Sequence, residues 1–126
     1  MVPPDLRYTR EHEWVRVEDG VATVGITAFA ADQLGDIVFV ELPDTGRMLE
    51  AFATFGVVES VKAVSDLFAP IGGEVVETNP ALTGQPELVN TEPYEGGWMV
   101  RLKLSNASQV DDLLGPDAYD ALIAAG

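Results

Sequence analysis

There is no cysteine among these 126 residues. Disulfides, thiolate metal sites and a cysteine nucleophile are therefore excluded, and any sulfur redox chemistry has to come from a prosthetic group. Basic residues are scarce as well. Seven lysines and arginines stand against 21 acidic residues, for a formal net charge of −14 and an isoelectric point near 4.1. Such a surface disfavours nucleic acid and anionic membranes, both of which need a basic face, so neither is an expected partner. It suits partners with basic docking faces and speeds encounter with them at low salt. No apolar run approaches the roughly 20 residues needed to span a bilayer. Met1-Val2-Pro3-Pro4-Asp5-Leu6-Arg7 has no apolar core and no basic amphipathic pattern, so neither a signal nor a transit peptide is expected. The expected location is the cytoplasm of a bacterial-type cell, which a start at Met1 favours. The mitochondrial matrix is the alternative, for a mature eukaryotic form.

What is present is enough for one domain spanning 1–126, long enough to bury a core. The chain is organised around 55–70. There, two apolar runs rich in β-branched residues flank a short polar break, which reads as a β-hairpin with Lys62 at or beside its turn. Only two lysines occur, Lys62 and Lys103. A lysine on an ordered corner of so acidic a surface has two readings. It is an ordinary solvated residue, or it is presented for covalent modification.

The remaining segments supply a mainly β frame. The stretch 8–18, with Trp14, Val15 and Val17, reads as one strand with a bent approach. It holds the only histidine, His12, beside Glu13. No serine or cysteine nucleophile pattern accompanies that pair, so a surface or strand-edge histidine is expected rather than a general base. Glu18-Asp19-Gly20 is a turn, and 21–26 is the partner strand. Thr27 is placed to cap a helix over 28–34 that Gly35 ends, with Phe29 and Leu34 as core contacts. A strong strand follows over 36–42, then a Pro43-Asp44-Thr45-Gly46 turn and a less regular stretch over 47–54. After the hairpin come a turn at 71–73 and a strand over 74–78.

The connection 79–97 is long and turn-rich, with a helical turn over 86–90 and with Tyr94 and Trp98 as anchors. A strand over 98–104 has one wet face. Asn106 and Gln109 fit a capping-box spacing for a helix carrying Val110, Leu113 and Leu114. Gly115-Pro116 then leads into a last helix with Tyr119, Leu122 and Ile123 on one face, giving a helical cover over 106–124. Gly35-Asp36-Ile37-Val38 and Gly73-Glu74-Val75-Val76 echo each other, which suggests two facing halves related by a pseudo-two-fold axis. No catalytic nucleophile, metal cluster or phosphate loop is visible, since Ala69-Pro70-Ile71-Gly72-Gly73 lacks the loop's spacing and following Lys-Ser/Thr. An enzyme in its own right is not expected.

Glu59-Ser60-Val61-Lys62-Ala63, followed by Ala69-Pro70 and Gly73-Glu74-Val75, resembles the swinging-arm lysine motif of lipoyl and biotinyl carrier domains. More of the chain is similar to the H-protein family of the glycine cleavage system. The matching segments are Tyr8 with His12-Glu13-Trp14-Val15, Gly25-Ile26-Thr27, Leu34-Gly35-Asp36-Ile37-Val38-Phe39-Val40-Glu41-Leu42-Pro43, Asn90-Thr91-Glu92-Pro93-Tyr94-Glu95, Gly97-Trp98 and Leu113-Leu114-Gly115. They cover nearly the whole chain in the family's order. Biotinyl carriers have methionines on both sides of the lysine, where Val61 and Ala63 stand here. Lipoyl domains of the 2-oxo acid dehydrogenases usually resemble Asp-Lys-Ala and are shorter.

The resemblance implies a flattened β-barrel of the lipoyl/biotinyl type, a barrel-sandwich hybrid, with short helices. It implies a lipoyl group in amide linkage to Lys62, with Glu59, Ser60, Val61 and Ala63 as the attachment motif. The arm would reach roughly 14 Å. It implies a non-catalytic carrier that takes an aminomethyl group from glycine at a pyridoxal-phosphate decarboxylase (P protein) and delivers it to a tetrahydrofolate-using aminomethyltransferase (T protein). Dihydrolipoamide dehydrogenase (L protein) then reoxidises the carrier, and a lipoyl or octanoyl transferase or a lipoate ligase first loads it. It implies that Glu13 and Asp66 receive the arm's cationic amine. Gln33 departs from a histidine frequent near the arm in relatives, and Glu11 from a small hydroxyl residue. A lipoate donor to other carriers, a lipoyl carrier of another complex, and an unmodified interaction module remain alternatives.

Overall fold

The computed structural model describes residues 2–125; Met1 and Gly126, the two ends of the expected domain, lie outside them. Among the described residues the strands are β1 (Arg7–Tyr8), β2 (Glu13–Glu18), β3 (Val21–Ile26), β4 (Ile37–Glu41), β5 (Met48–Leu49), β6 (Thr54–Ser60), β7 (Val64–Phe68), β8 (Gly73–Thr78) and β9 (Val100–Leu104). The helices are α1 (Ala28–Leu34), α2 (Ala81–Gly84), α3 (Leu88–Thr91), α4 (Ser108–Asp111) and α5 (Pro116–Ala125). Six strands pair in the order β1-β2-β3-β9-β8-β5 and three in the order β4-β6-β7. Every pairing is antiparallel. The two ladders do not join into a closed barrel among the described residues. The fold is mainly β with short helices, two antiparallel sheets in a flattened sandwich, as the resemblance implies.

Alternation along the strands explains the layering. Val15, Ala22, Val24, Val75, Val100 and Leu102 of the larger sheet meet Ile37, Phe55, Val58 and Leu67 of the smaller in one buried cluster. The two echo segments open β4 and β8, which lie in opposite sheets across that core. Asp19 and Gly20 both have positive φ, 51° and 78°, the geometry of the tight turn that pairs Glu18 with Val21. A second cluster of Leu6, Tyr8, Trp14 and Tyr119 holds α5 against β1 and β2, with the Tyr8 and Tyr119 rings stacked at 4.7 Å.

Several expectations change. The segment 8–18 is two antiparallel strands, because His12 takes φ 72° and reverses the chain between Tyr8 and Glu13. In α1 the buried residue is Ala31, while Phe29 is half-buried against the His12 ring at 4.9 Å. The irregular stretch 47–54 contains β5, paired to β8. Two helices, α2 and α3, occupy the connection 79–97 where one helical turn was expected. The N-cap of α4 is Ala107, which has no capping side chain, and Asn106 makes only a local bond before it, its Oδ1 accepting from the Ser108 N–H at 3.0 Å. Gln109 does not close a capping box, because its Oε1 accepts from the Gly72 N–H at 2.7 Å instead. The strand expected from Trp98 begins at Val100.

Candidate functional site

The β6–β7 hairpin narrows to a tight tip at 61–63. Ser60 holds the tip. Its N–H donates to the Ala63 carbonyl at 2.8 Å, and its Oγ accepts from the Ala63 N–H at 3.0 Å and the Lys62 N–H at 3.3 Å. The Val61 N–H donates to the Asp36 carbonyl at 3.0 Å, which ties the tip to the start of β4. Asn90 braces that start in turn. Its Oδ1 accepts from the Ile37 N–H at 2.8 Å and its Nδ2 donates to the Gly35 carbonyl at 2.9 Å. Lys62 is exposed on this ordered corner, and its stem passes so close over Gly35 that a Cβ there would touch Lys62 Cε at 3.6 Å. No ion pair within 4.0 Å engages its amine among the described residues. Of the other motif residues, Val61 and Ala63 are exposed and Glu59 and Ser60 half-buried.

Glu13 is buried, with 2% of its surface exposed. The Thr9 hydroxyl donates to its Oε1 at 2.6 Å, and the Phe68 N–H reaches its Oε2 at 3.4 Å. Thr9 Oγ1 also accepts from the Glu11 and Glu13 N–H groups, so its own proton is free for the carboxylate. Burial outweighs these bonds and pushes the Glu13 carboxyl up from 4.5 to about 7. Asp66 is exposed on β7. Lying two residues from Phe68, it shares Phe68's side of the strand. A cleft of about 340 Å³ lined by Glu11, Phe52 and Phe68 opens there. It adjoins another of about 300 Å³ that shares Glu11 and Phe52 and reaches Thr9 and Leu113. From Lys62 at the tip the chain runs along β7 through Asp66 to Phe68, whose N–H meets Glu13 of β2; neither Asp66 nor Glu13 lines either cleft. Gln33 is exposed on α1 and lines neither cleft.

His12 belongs to a different constellation. Its Nδ1 lies 2.8 Å from the Tyr119 hydroxyl, which lies 2.8 Å from Thr27 Oγ1. Burial holds the His12 imidazole below its ordinary pKa, partly opposed by Glu11, and pushes the Tyr119 phenol up to about 12. This chain of hydroxyls joins α1 to α5. The groups that the sequence did not single out at the cleft are Thr9, Phe52 and Phe68. Only Thr9, four residues before Glu13, carried a usable signal. Phe52, at φ 67°, has none.

Residues 6–125 match the profile of the glycine cleavage H-protein family. The chain belongs to that family. The glycine cleavage system H protein of Symbiobacterium thermophilum is 57% identical over 125 residues, 99% of this chain and 98% of the relative. The probable glycine cleavage system H protein of Haloarcula marismortui is 58% identical over 118 residues, covering 94% and 93%. The crystal structure of a glycine cleavage system H protein from Mycobacterium marinum superposes with a TM-score of 0.91 at 39% identity, covering 98% of this chain and 99% of that one. The part of an H protein in the glycine cleavage system is that of the lipoyl carrier. No helix among the described residues is long and apolar enough to cross a membrane.

Proposed function

We propose that Lys62 bears the lipoyl group and that the chain, as one carrier domain over 1–126, is a non-catalytic shuttle. Its partners are then the decarboxylase, the aminomethyltransferase and dihydrolipoamide dehydrogenase, together with the transferase or ligase that loads it. Bacterial cytoplasm is the location proposed. The observation that carries the reading is the exposed Lys62, in no ion pair among the described residues, on a tip pinned by Ser60 and Asp36. A ligase needs an accessible amine in a fixed place, and a lysine amine forms a stable amide where an arginine does not. Bound there, a lipoyl group supplies the disulfide–dithiol couple that this cysteine-free chain lacks.

Glu59, Ser60, Val61 and Ala63 set the turn that presents the amine. From Lys62 to Asp66 is roughly 13 Å along an extended strand, within the arm's reach. Asp66 at the surface and Glu13, bonded to the Phe68 N–H, are the carboxylates that would receive a cationic amine, beside a cleft walled by Glu11, Phe52 and Phe68. An arriving cation favours the ionised form of Glu13 and draws its carboxyl back down from about 7.

The test is the mass of the tryptic peptide around Lys62, from protein made in cells supplied with lipoate. Trypsin does not cut after an acylated lysine, so the expected product runs over 48–101 and carries one lipoyl mass. Lys62→Arg protein is expected to carry none. Clean cleavage after Lys62 in lipoylation-competent cells would falsify the proposal.

A further inference from the structure

The outer face of the β4-β6-β7 sheet is more apolar near the tip than a solvated face of so acidic a protein should be. Strand register defines it. Val40, Val58 and Ser65 stand in one row, and Val58 is fully buried, so that row faces the core. The neighbouring rows face outward. Phe39, Glu59 and Val64 form one, and Glu41, Val57 and Asp66 the next. The ladder shifts between Ile37 and Phe39, leaving Val38 as an extra residue that pairs with nothing on β6. Bulges of this kind re-aim side chains beside functional sites. Here the bulge leaves two consecutive large residues exposed, Val38 at 54% and Phe39 at 49%, beside Val64 at 66% and Val61 at 69%. Val61 precedes Lys62 in the chain, Phe39 and Val64 stand in the last row that runs across all three strands before the tip, and Val38 adjoins Phe39. Glu59 lies inside the stripe, and Glu41, Asp66 and Asp36 edge it.

We propose that this stripe is the docking footprint of the acyl-transferring enzyme that modifies Lys62, and that the enzyme meets it with an apolar socket rimmed by lysine and arginine. The inference rests on the lipoyl-lysine reading of Lys62. Reach selects this occupant. The bare lysine amine extends only about 6 Å from its Cα, so an enzyme acylating it must press against the last paired residues of the hairpin, Glu59 and Val64, and against the bulge beside them. Partners that work on the far end of the loaded arm, whose whole reach from the backbone is roughly 14 Å, act about 8 Å beyond the bare amine and do not have to press on these side chains. Charge selects the rim. With a net charge of −14, Glu59 within the stripe and Glu41 and Asp66 in the next outward row, a basic surface gains both encounter rate and orientation. Exposed apolar residues grouped and edged by polar ones are the usual mark of a protein contact.

The experiment compares acylation of apo protein by a lipoate ligase supplied with ATP and lipoate. The substrates are the wild type, Phe39→Thr/Val64→Thr and Val38→Thr. Val76→Thr, exposed on β8 in the other sheet, is the control. Threonine keeps the strand preference, and urea unfolding confirms that each variant is folded. The proposal expects kcat/KM to fall about ten-fold or more for the double variant, mostly through KM. It expects a smaller fall for Val38→Thr and no change for Val76→Thr. Acylation of Lys62 by a small activated ester should proceed equally in all. Equal enzymatic rates for wild type and variants would overturn the footprint while leaving the lipoyl-lysine reading intact. A matching loss with the small ester would do the same, since the tip itself would then be distorted. A wild type that sediments as a dimer while the double variant is monomeric would give the stripe to a second copy of the chain. A wild type that the ligase leaves unmodified would sink the underlying reading as well.

Discussion

A carboxyl group held near neutrality by burial has consequences that a surface carboxylate lacks. Glu13 has a folded-state pKa of about 7 against an ordinary 4.5, so between those values the folded state binds more protons than the unfolded one. Stability then falls as pH rises from about 4.5 through 7, and is level above. At about 1.4 kcal/mol per pKa unit the penalty at pH 8 is about 3 kcal/mol. Glu13→Gln keeps an acceptor for the Thr9 hydroxyl and removes the charge. It is expected to raise unfolding free energy by about 1–3 kcal/mol at pH 8 and to change it little at pH 4.5. Urea titrations at the two pH values check this. His12, whose pKa is lowered by burial, contributes the opposite slope, so the difference between variant and wild type isolates the carboxyl. Lys62 was legible from its neighbours in the chain, because the hairpin and the motif are both local. The burial of Glu13 was not. It depends on the Phe68 N–H, 55 residues away in sequence, and on a reversal at His12 that no glycine or asparagine announces.

Close backbone approach decides which element substitutions matter. A Cβ on Gly56 would lie 2.2 Å from the Glu41 carbonyl oxygen, on the strand that carries the bulge, and neither backbone yields without shifting the β4–β6 ladder. Gly56→Ala is expected to lower stability by about 1–3 kcal/mol. Gly84→Ala, with nothing within 4 Å at the end of α2, is expected to raise it by about 0.5 kcal/mol. The shift in urea midpoint gives both signs in one series. Thr27 does two things at once. Its Oγ1 accepts from the Ala30 N–H at 3.2 Å to cap α1 and meets the Tyr119 hydroxyl at 2.8 Å. Thr27→Ala should cost about 1–3 kcal/mol, most of it recovered in Thr27→Ser, as calorimetric melting temperatures of the three proteins would report. The cap itself was readable, since threonine before an apolar helix is a local signal. Its second bond was not, because Tyr119 comes from the far end of the chain. Gln109 failed for the same reason. Its side chain has a local partner available at Asn106, but Gly72 offers a buried N–H that nothing else satisfies.

Net charge acts on the molecule as a unit, and it pulls stability and association in opposite directions. A charge of −14 on 126 residues repels itself most in the compact state. It also attracts basic partners from a distance, which raises encounter rates. Both effects fade with screening. Raising salt from about 0.01 M to about 0.1 M shortens the Debye length from about 30 Å to about 10 Å, less than the span of the domain. The melting temperature should therefore rise over that range. The second-order rate constant for reoxidation of the lipoylated, reduced protein by dihydrolipoamide dehydrogenase should fall, by about ten-fold if the dehydrogenase presents a basic face. Stopped-flow absorbance of the flavin follows the rate and calorimetry the stability. The opposite signs matter. A salt that merely loosened the fold would lower both quantities, and a partner without a basic face would leave the rate unchanged while the melting temperature still rose. Only long-range attraction to a cationic docking surface slows association in a protein that is becoming more stable.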